Sequence, residues 1–173
     1  MEHTLYGLTF SVADWIDMEG FDSTCGLSNR ALKPKNVDAV IVKAFRDNLL
    51  ATPLFRSSVN QGAGCPDISC FSSETTNALW GRAHNPHKKD FSTGGSCGGE
   101  AGLVASNSIG FGLAVDQFGD ARYPAASCGV VAFKPTSNRM SSMGVSVPSY
   151  RAPICKPVVT PIARSVKDIS HVL

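Results

Sequence analysis

Thr93-Gly94-Gly95-Ser96-Cys97-Gly98-Gly99-Glu100 decides how this chain is read. Four glycines around a Ser-Cys pair suit neither a helix interior nor a strand centre, where each costs about 0.5–1 kcal/mol relative to alanine. The stretch is therefore a loop. Glycines at 94, 95, 98 and 99 let another backbone approach closely, so the loop can gather its amide N–H groups and the Ser96 hydroxyl at one point, as an anion or oxyanion site requires. A plain Gly/Ser linker is the competing reading. The flanks oppose it: Glu100 to Ser108 reads as a short apolar helix and Ile109 to Val115 as a buried strand. A second tight turn, Asp116 to Ala125, follows.

Working outward, 173 residues at 43% hydrophobic content suit one globular domain with a sizeable core. A net charge of +2 is too small to point to nucleic acid or an acidic surface. Six cysteines at 25, 65, 70, 97, 128 and 155 show no CxxC pair and no histidine spacing that suits zinc. No metal or cofactor is expected. With no cleavable leader after Met1 and no apolar run of spanning length, the expectation is reduced thiols, no transmembrane segment and an intracellular, cytoplasmic location.

Leu5 to Val12 alternates and reads as a strand that ends at Ala13-Asp14. Asp14 to Gly26 is a glycine-punctuated loop. Asn36 to Leu50 carries Val37, Val40, Ile41, Ala44 and Phe45 on a helical face, with Asn36 or Asp38 as N-cap. Thr52 to Val59 reads as a short strand, and Cys65 to Trp80 as polar loop. Cys128 to Phe133 reads as a buried strand, Ser137 to Ala152 as a loop, and Pro157 to Pro161 as an extended bridge. Ser165 then caps a final helix, with Asp168 completing a near-match to a capping box. Such alternation predicts an α/β fold, a mixed β-sheet covered by α-helices.

Gly94 to Glu100, Gly112-Leu113-Ala114-Val115-Asp116, and Arg122-Tyr123-Pro124-Ala125-Ala126-Ser127-Cys128-Gly129 through Lys134-Pro135-Thr136 resemble the amidase signature family. The likeness is greatest to the fatty-acid-amide-hydrolase-like branch, which carries Glu after the glycine loop. It extends from Leu5-Tyr6-Gly7 to Pro161-Ile162-Ala163-Arg164-Ser165. It implies a carbon-nitrogen amide bond hydrolase with a Ser-Ser-Lys triad: a neutral lysine draws a proton through a bridging serine held on a cis peptide, and a second serine attacks the carbonyl. The residues here leave cis or trans open before Ser96. Amidase cores are longer, so residues 1–173 are expected to form a single truncated domain, the N-terminal part of the core without its C-terminal half.

Carried over position by position, the bridging serine is Ser96, within a loop of Gly94, Gly95, Cys97, Gly98 and Gly99. The nucleophile position holds Asp120, and the base position after Phe10-Ser11-Val12 holds Ala13. The oxyanion-hole segment is Gln117, Phe118, Gly119 and Asp120. Alanine offers no proton acceptor, so Ser96 has no base to relay through. An ionised aspartate repels a developing oxyanion. Phe118, standing where the family has glycine, is expected to misdirect the oxyanion amides. Members of a catalytic unit act together, so losing two of them predicts a pseudoenzyme.

Two residues compete as rescuers. Lys43 lies in the helical pattern, where a solvated lysine is the plain reading. Cys97 is a thiol that His84 or His87 could activate, although cysteine is most often a small buried hydrophobe. The resemblance implies a small acyl-amide ligand. A half-sheet with an unpaired edge further implies a homo-oligomer or a partner chain. The alternatives are a working amidase with a compensating residue or partner, and a non-functional fragment of a larger amidase gene.

Overall fold

The computed structural model describes residues 5–61, 72–146 and 156–173. In chain order these form β1 (Thr9–Ala13), α1 (Val40–Lys43, prolonged by a wider π turn over Ala44–Asn48), β2 (Thr52–Ser57), β3 (Thr76–Asn77) and β4 (Gly81–Arg82). Then come α2 (Gly98–Ala105), β5 (Phe111–Asp116), α3 (Arg122–Cys128), β6 (Val131–Ala132), β7 (Val158–Ala163) and α4 (Val166–Val172). The main sheet runs β2-β1-β5-β7-β6. β1 pairs in parallel with β2 and β5, whereas β7 is antiparallel to β5 and β6. It is the expected mixed sheet.

Every residue of β5 and β7 is buried, which fits a sheet covered on both faces. Phe10 of β1 stacks on Phe111 of β5 with centroids 5.1 Å apart, and Phe45 tilts against both rings. That aromatic cluster fixes the helix after α1 to the sheet. β3 and β4 form a small hairpin in which the Asn77 side chain accepts the amides of Leu79 and Trp80.

Several expectations need correction. The Pro157 to Pro161 bridge is instead β7, an inner strand opposite the whole of β5. Pro161 is tolerated because its carbonyl accepts the Phe133 amide, so its face with the missing N–H looks toward the short β6 and not toward β5. Cys128 to Phe133 is not one strand: α3 runs through Cys128, Gly129 ends it at φ 71°, and only Val131 and Ala132 pair. Pro124 sits in the first turn of α3, where a backbone N–H has no intrahelical acceptor and its absence loses no bond.

The helix expected over Asn36 to Leu50 begins only at Val40, with Ala39 as N-cap. Asp38 instead accepts the Glu19 amide and pairs with Arg46 at 2.6 Å. Consequently Val37 and Val40 are exposed while Ile41, Val42 and Phe45 are buried. β1 starts at Thr9, since Gly7 at φ 73° turns the preceding residues back toward Leu50. α2 starts two residues before Glu100, taking Gly98 and Gly99 into its first turn. The final helix follows the sequence closely: Ser165 and Asp168 exchange the reciprocal bonds of a full capping box. Cys65, Cys70 and the later part of the Ser137 to Ala152 loop lie outside the described residues.

Candidate active site

The C-terminal ends of the three parallel strands place Ala13, Ser57 and Asp116 along one rim of the sheet. In α/β sheets that rim is where ligands and reacting groups gather. The glycine loop reaches it from α2. Gly95 lies under the backbone carbonyls of Ser72 and Glu74, both of which a Cβ would strike well inside van der Waals distance. Only glycine fits there, and the Gly95–Ser96 peptide is cis.

The structure brings Ser96 and Asp120 together. Ser96 Oγ donates to Asp120 Oδ1 at 2.9 Å, and the Cys97 amide donates to the Asp120 carbonyl at 3.0 Å. Both side chains are buried. The other carboxylate oxygen, Oδ2, accepts the amides of Gln117 at 2.9 Å and Phe118 at 3.0 Å. The expectation that Phe118 misdirects these amides is therefore corrected: they converge on one point. The turn needs positive φ at Gly119, at 113°, and not at Phe118, whose ring stays half exposed.

The remaining amides of the turn serve Asp116. Its carboxylate accepts the N–H groups of Gly119, Ala121 and Arg122, and the Arg122 guanidinium grips both oxygens at 2.9 Å. Burial pushes the Asp116 carboxyl up, but Arg122 and these amides outweigh it and hold the group below the usual carboxylate range. For Asp120 burial prevails over its amide and serine donors, and its carboxyl is raised. Two neighbouring carboxylates thus titrate in opposite directions.

Ala13 closes β1 in register with Ser57 and is fully buried. Its methyl group brings no polar atom to the pair. The two candidate rescuers fare no better. Lys43 is exposed on its helix. The Cys97 thiol is fully buried, donates to the Val115 carbonyl at 3.4 Å, and is held by burial well above its ordinary pKa. His84 bonds the Lys89 carbonyl and His87 that of Cys128, so neither is engaged with it.

Sequence reasoning missed a second buried group. Glu100 lies fully buried in the first turn of α2, accepting from Ser57 at 2.6 Å and from Ser11. Burial pushes its carboxyl up to about 7. Beside it, Arg56 reaches Asp14 at 3.0 Å and the carbonyls of Ile16 and Asp22. The run Leu54-Phe55-Arg56-Ser57 on a predicted strand offered the only signal, a cation next to a strand end.

At this rim the strand ends of a mixed sheet bring a serine-bearing glycine loop against a turn of converging amides. The chain belongs to the Amidase family, whose model matches residues 1–173. It is 35% identical over 166 residues to fatty-acid amide hydrolase 1 of Sus scrofa, covering 96% of this chain and 27% of that protein. It is 32% identical over 169 residues to a glutamyl-tRNA(Gln) amidotransferase subunit of Salinibacter ruber, covering 98% and 30%. A solved structure described as a vestigial protein complex revealing the origins of an s-triazine catabolic enzyme matches with TM-score 0.84 and 29% identity, covering 98% of this chain and 35% of that one. The chain thus spans about a third or less of the curated relatives' length. Among the described residues no helix is long and apolar enough to cross a membrane.

Proposed function

We propose that this chain is a fatty-acid-amide-hydrolase-like member of the family whose hydrolytic centre is closed, leaving a protein that binds an acyl-amide ligand or a partner without hydrolysing it. One observation carries the reading: Asp120 Oδ2 occupies the amides of Gln117 and Phe118 while Oδ1 accepts a hydrogen bond from the Ser96 hydroxyl. A carboxylate in that position fills an anion site with the protein's own charge. A substrate carbonyl developing negative charge there would meet repulsion instead of two donors. At the base position Ala13 offers no proton acceptor, and among the described residues the Ser96 hydroxyl is bonded only to the Asp120 carboxylate.

A second reading has its own support. The chain covers 27–35% of the proteins it resembles, and one of these is by name part of a multi-chain amidotransferase. Residues from further chain or from a partner would then complete the site, and the 1–173 unit would act as one part of a larger amidase core. The continuous aromatic core and the capped final helix argue against the third reading, a remnant that does not fold.

Incubation of the purified chain with linear aliphatic and aryl amides, following amine release, tests the proposal. No release above buffer is expected. Turnover at rates ordinary for enzymes, on the order of 1 per second or faster, would overturn it.

A further inference from the structure

A groove of about 720 Å³ opens at the C-terminal ends of β1 and β2, lined by Phe21, Leu32, Pro34 and Trp80 over a floor of Asp14, Asp22, Arg56 and Ser58. The volume falls in the range of small-molecule sites, which combine apolar walls with a few polar groups. It does not include Ser96 or Asp120. Phe21 is 51% and Trp80 63% exposed, so two aromatic side chains stand open at the groove of a fold that stacks Phe10 and Phe111 inside.

The charges on the floor differ in one respect. Arg56 is spent on Asp14: its Nη2 meets Asp14 Oδ1, the Asp22 carbonyl and Ser23, and its Nη1 meets the Ile16 carbonyl. Asp14 is likewise filled by Thr24 and the Cys25 amide. Asp22 is different. Its carboxylate accepts only the backbone amides of Leu32 and Lys33, and among the described residues no cation lies within ion-pair distance of it. The nearby ammonium groups are turned elsewhere, Lys33 to the Asn29 carbonyl and Lys35 to Asp17. The groove therefore holds a neutral ion pair, one uncompensated carboxylate and two exposed aromatic faces.

We infer that this groove is a binding site for a small organic ammonium ion with an apolar body. The cation would sit between the Asp22 carboxylate and the faces of Phe21 and Trp80, and the apolar body would lie along Leu32 and Pro34. Carboxylate and π-face both favour a cation, and an aromatic face prefers a weakly hydrated alkylated ammonium to a bare metal ion. An anion is disfavoured because it would meet the Asp22 carboxylate, while the one guanidinium on the floor already commits Nη1 and Nη2 to protein acceptors and keeps only a buried Nε without one. This inference is independent of whether the Ser96–Asp120 centre is closed.

Octyltrimethylammonium is the probe, with octanoate as the control of equal chain length and opposite charge. The two tryptophans differ in burial, 1% exposed for Trp15 and 63% for Trp80, so intrinsic fluorescence reports the groove through Trp80. A saturable change with the ammonium, absent with octanoate, is expected; calorimetry should show the same binding. Asp22→Asn removes the charge and keeps an acceptor for one of the two amides, which bind separate oxygens, and should weaken binding about fivefold, an effect of the size a single exposed carboxylate-cation contact supplies. Phe21→Leu, at a half-exposed ring, tests the aromatic wall independently should Asp22→Asn fail to fold. Equal or tighter binding of octanoate, no saturable response below the aggregation concentration of the probe, or unchanged affinity in both folded variants would each overturn the inference.

Discussion

Ser96 donates a hydrogen bond from its hydroxyl to Asp120 Oδ1 at 2.9 Å, in a place where Asp120 Oδ2 is already held by two backbone amides. The pair joins the glycine loop to the turn after β5. On the proposed reading this sets each partner against nucleophilic attack: the serine is a donor to a carboxylate, and the carboxylate accepts the amides an oxyanion would need.

Cys97 illustrates how burial removes a candidate nucleophile. Its thiol is fully buried and faces the Val115 carbonyl. Alkylation by iodoacetamide at pH 8, mapped by peptide mass spectrometry, should leave Cys97 unmodified in the folded chain and modify it in denaturant. Modification at native rates would restore the thiol reading.

Gly95 has no room for a side chain. The carbonyls that a Cβ would strike belong to the backbone of Ser72 and Glu74, which cannot rotate away as a side chain could. Gly95→Ala should therefore destabilise by about 3 kcal/mol, at the upper end of ordinary overpacking costs, and move the loop off Asp120. Denaturant unfolding measures the loss. A change under about 0.5 kcal/mol, the scale of a neutral surface substitution, would show that the loop is not held as described.

Glu100 makes stability depend on pH in a defined direction. Its folded carboxyl is raised from 4.5 to about 7 by burial. The unfolded chain releases this proton first, so the folded state binds more protons between those values and stability falls as pH rises through them. By linkage the fall is about 3 kcal/mol by pH 8. Glu100→Gln keeps the shape without the charge, and should flatten the difference between pH 5 and pH 8. Parallel pH profiles for parent and variant would contradict it.

Arg122 and Asp116 predict the opposite dependence. Asp116 is fully buried and its carboxyl is held low, so its contribution is present near neutral pH and is lost as pH falls through the folded value. Arg122→Ala leaves that carboxylate its three amide donors but removes its counter-charge. Because the guanidinium is half exposed, the expected cost is about 2 kcal/mol at pH 7, below that of breaking a fully buried pair. Thermal or denaturant unfolding at pH 7 and pH 3 should show the gap narrowing in acid.

How far the sequence disclosed this fold follows from the range of each interaction. The capping box at Ser165 and Asp168 spans three residues and was legible as a near-match, which the structure completes. The glycine loop and β5 were legible because composition alone restricts them. β7 was not, since two prolines read as an irregular bridge until β5 on one side and a very short β6 on the other show why Pro161 is harmless. Val37 and Val40 followed the helical period yet face solvent, because Asp38 is taken by Glu19 and Arg46 and the helix starts late. At the site, the residue types at 13, 96 and 120 were readable. The two carboxylate networks were not: Ser96 to Asp120 spans 24 residues, Ser57 to Glu100 spans 43, and no local pattern encodes either.

The proposed closure of the centre rests on the Asp120 carboxylate filling the point where the Gln117 and Phe118 amides converge, with Ala13 at the base position. The most direct measurement compares amide hydrolysis by the parent chain with that of the double substitution Ala13→Lys, Asp120→Ser, on the same linear aliphatic and aryl amides. A silent parent and a variant that releases amine are predicted, because serine frees the Gln117 and Phe118 amides and lysine supplies the missing base. Hydrolysis by the parent at a rate matching the variant would contradict this, since the carboxylate would then not be what closes the site.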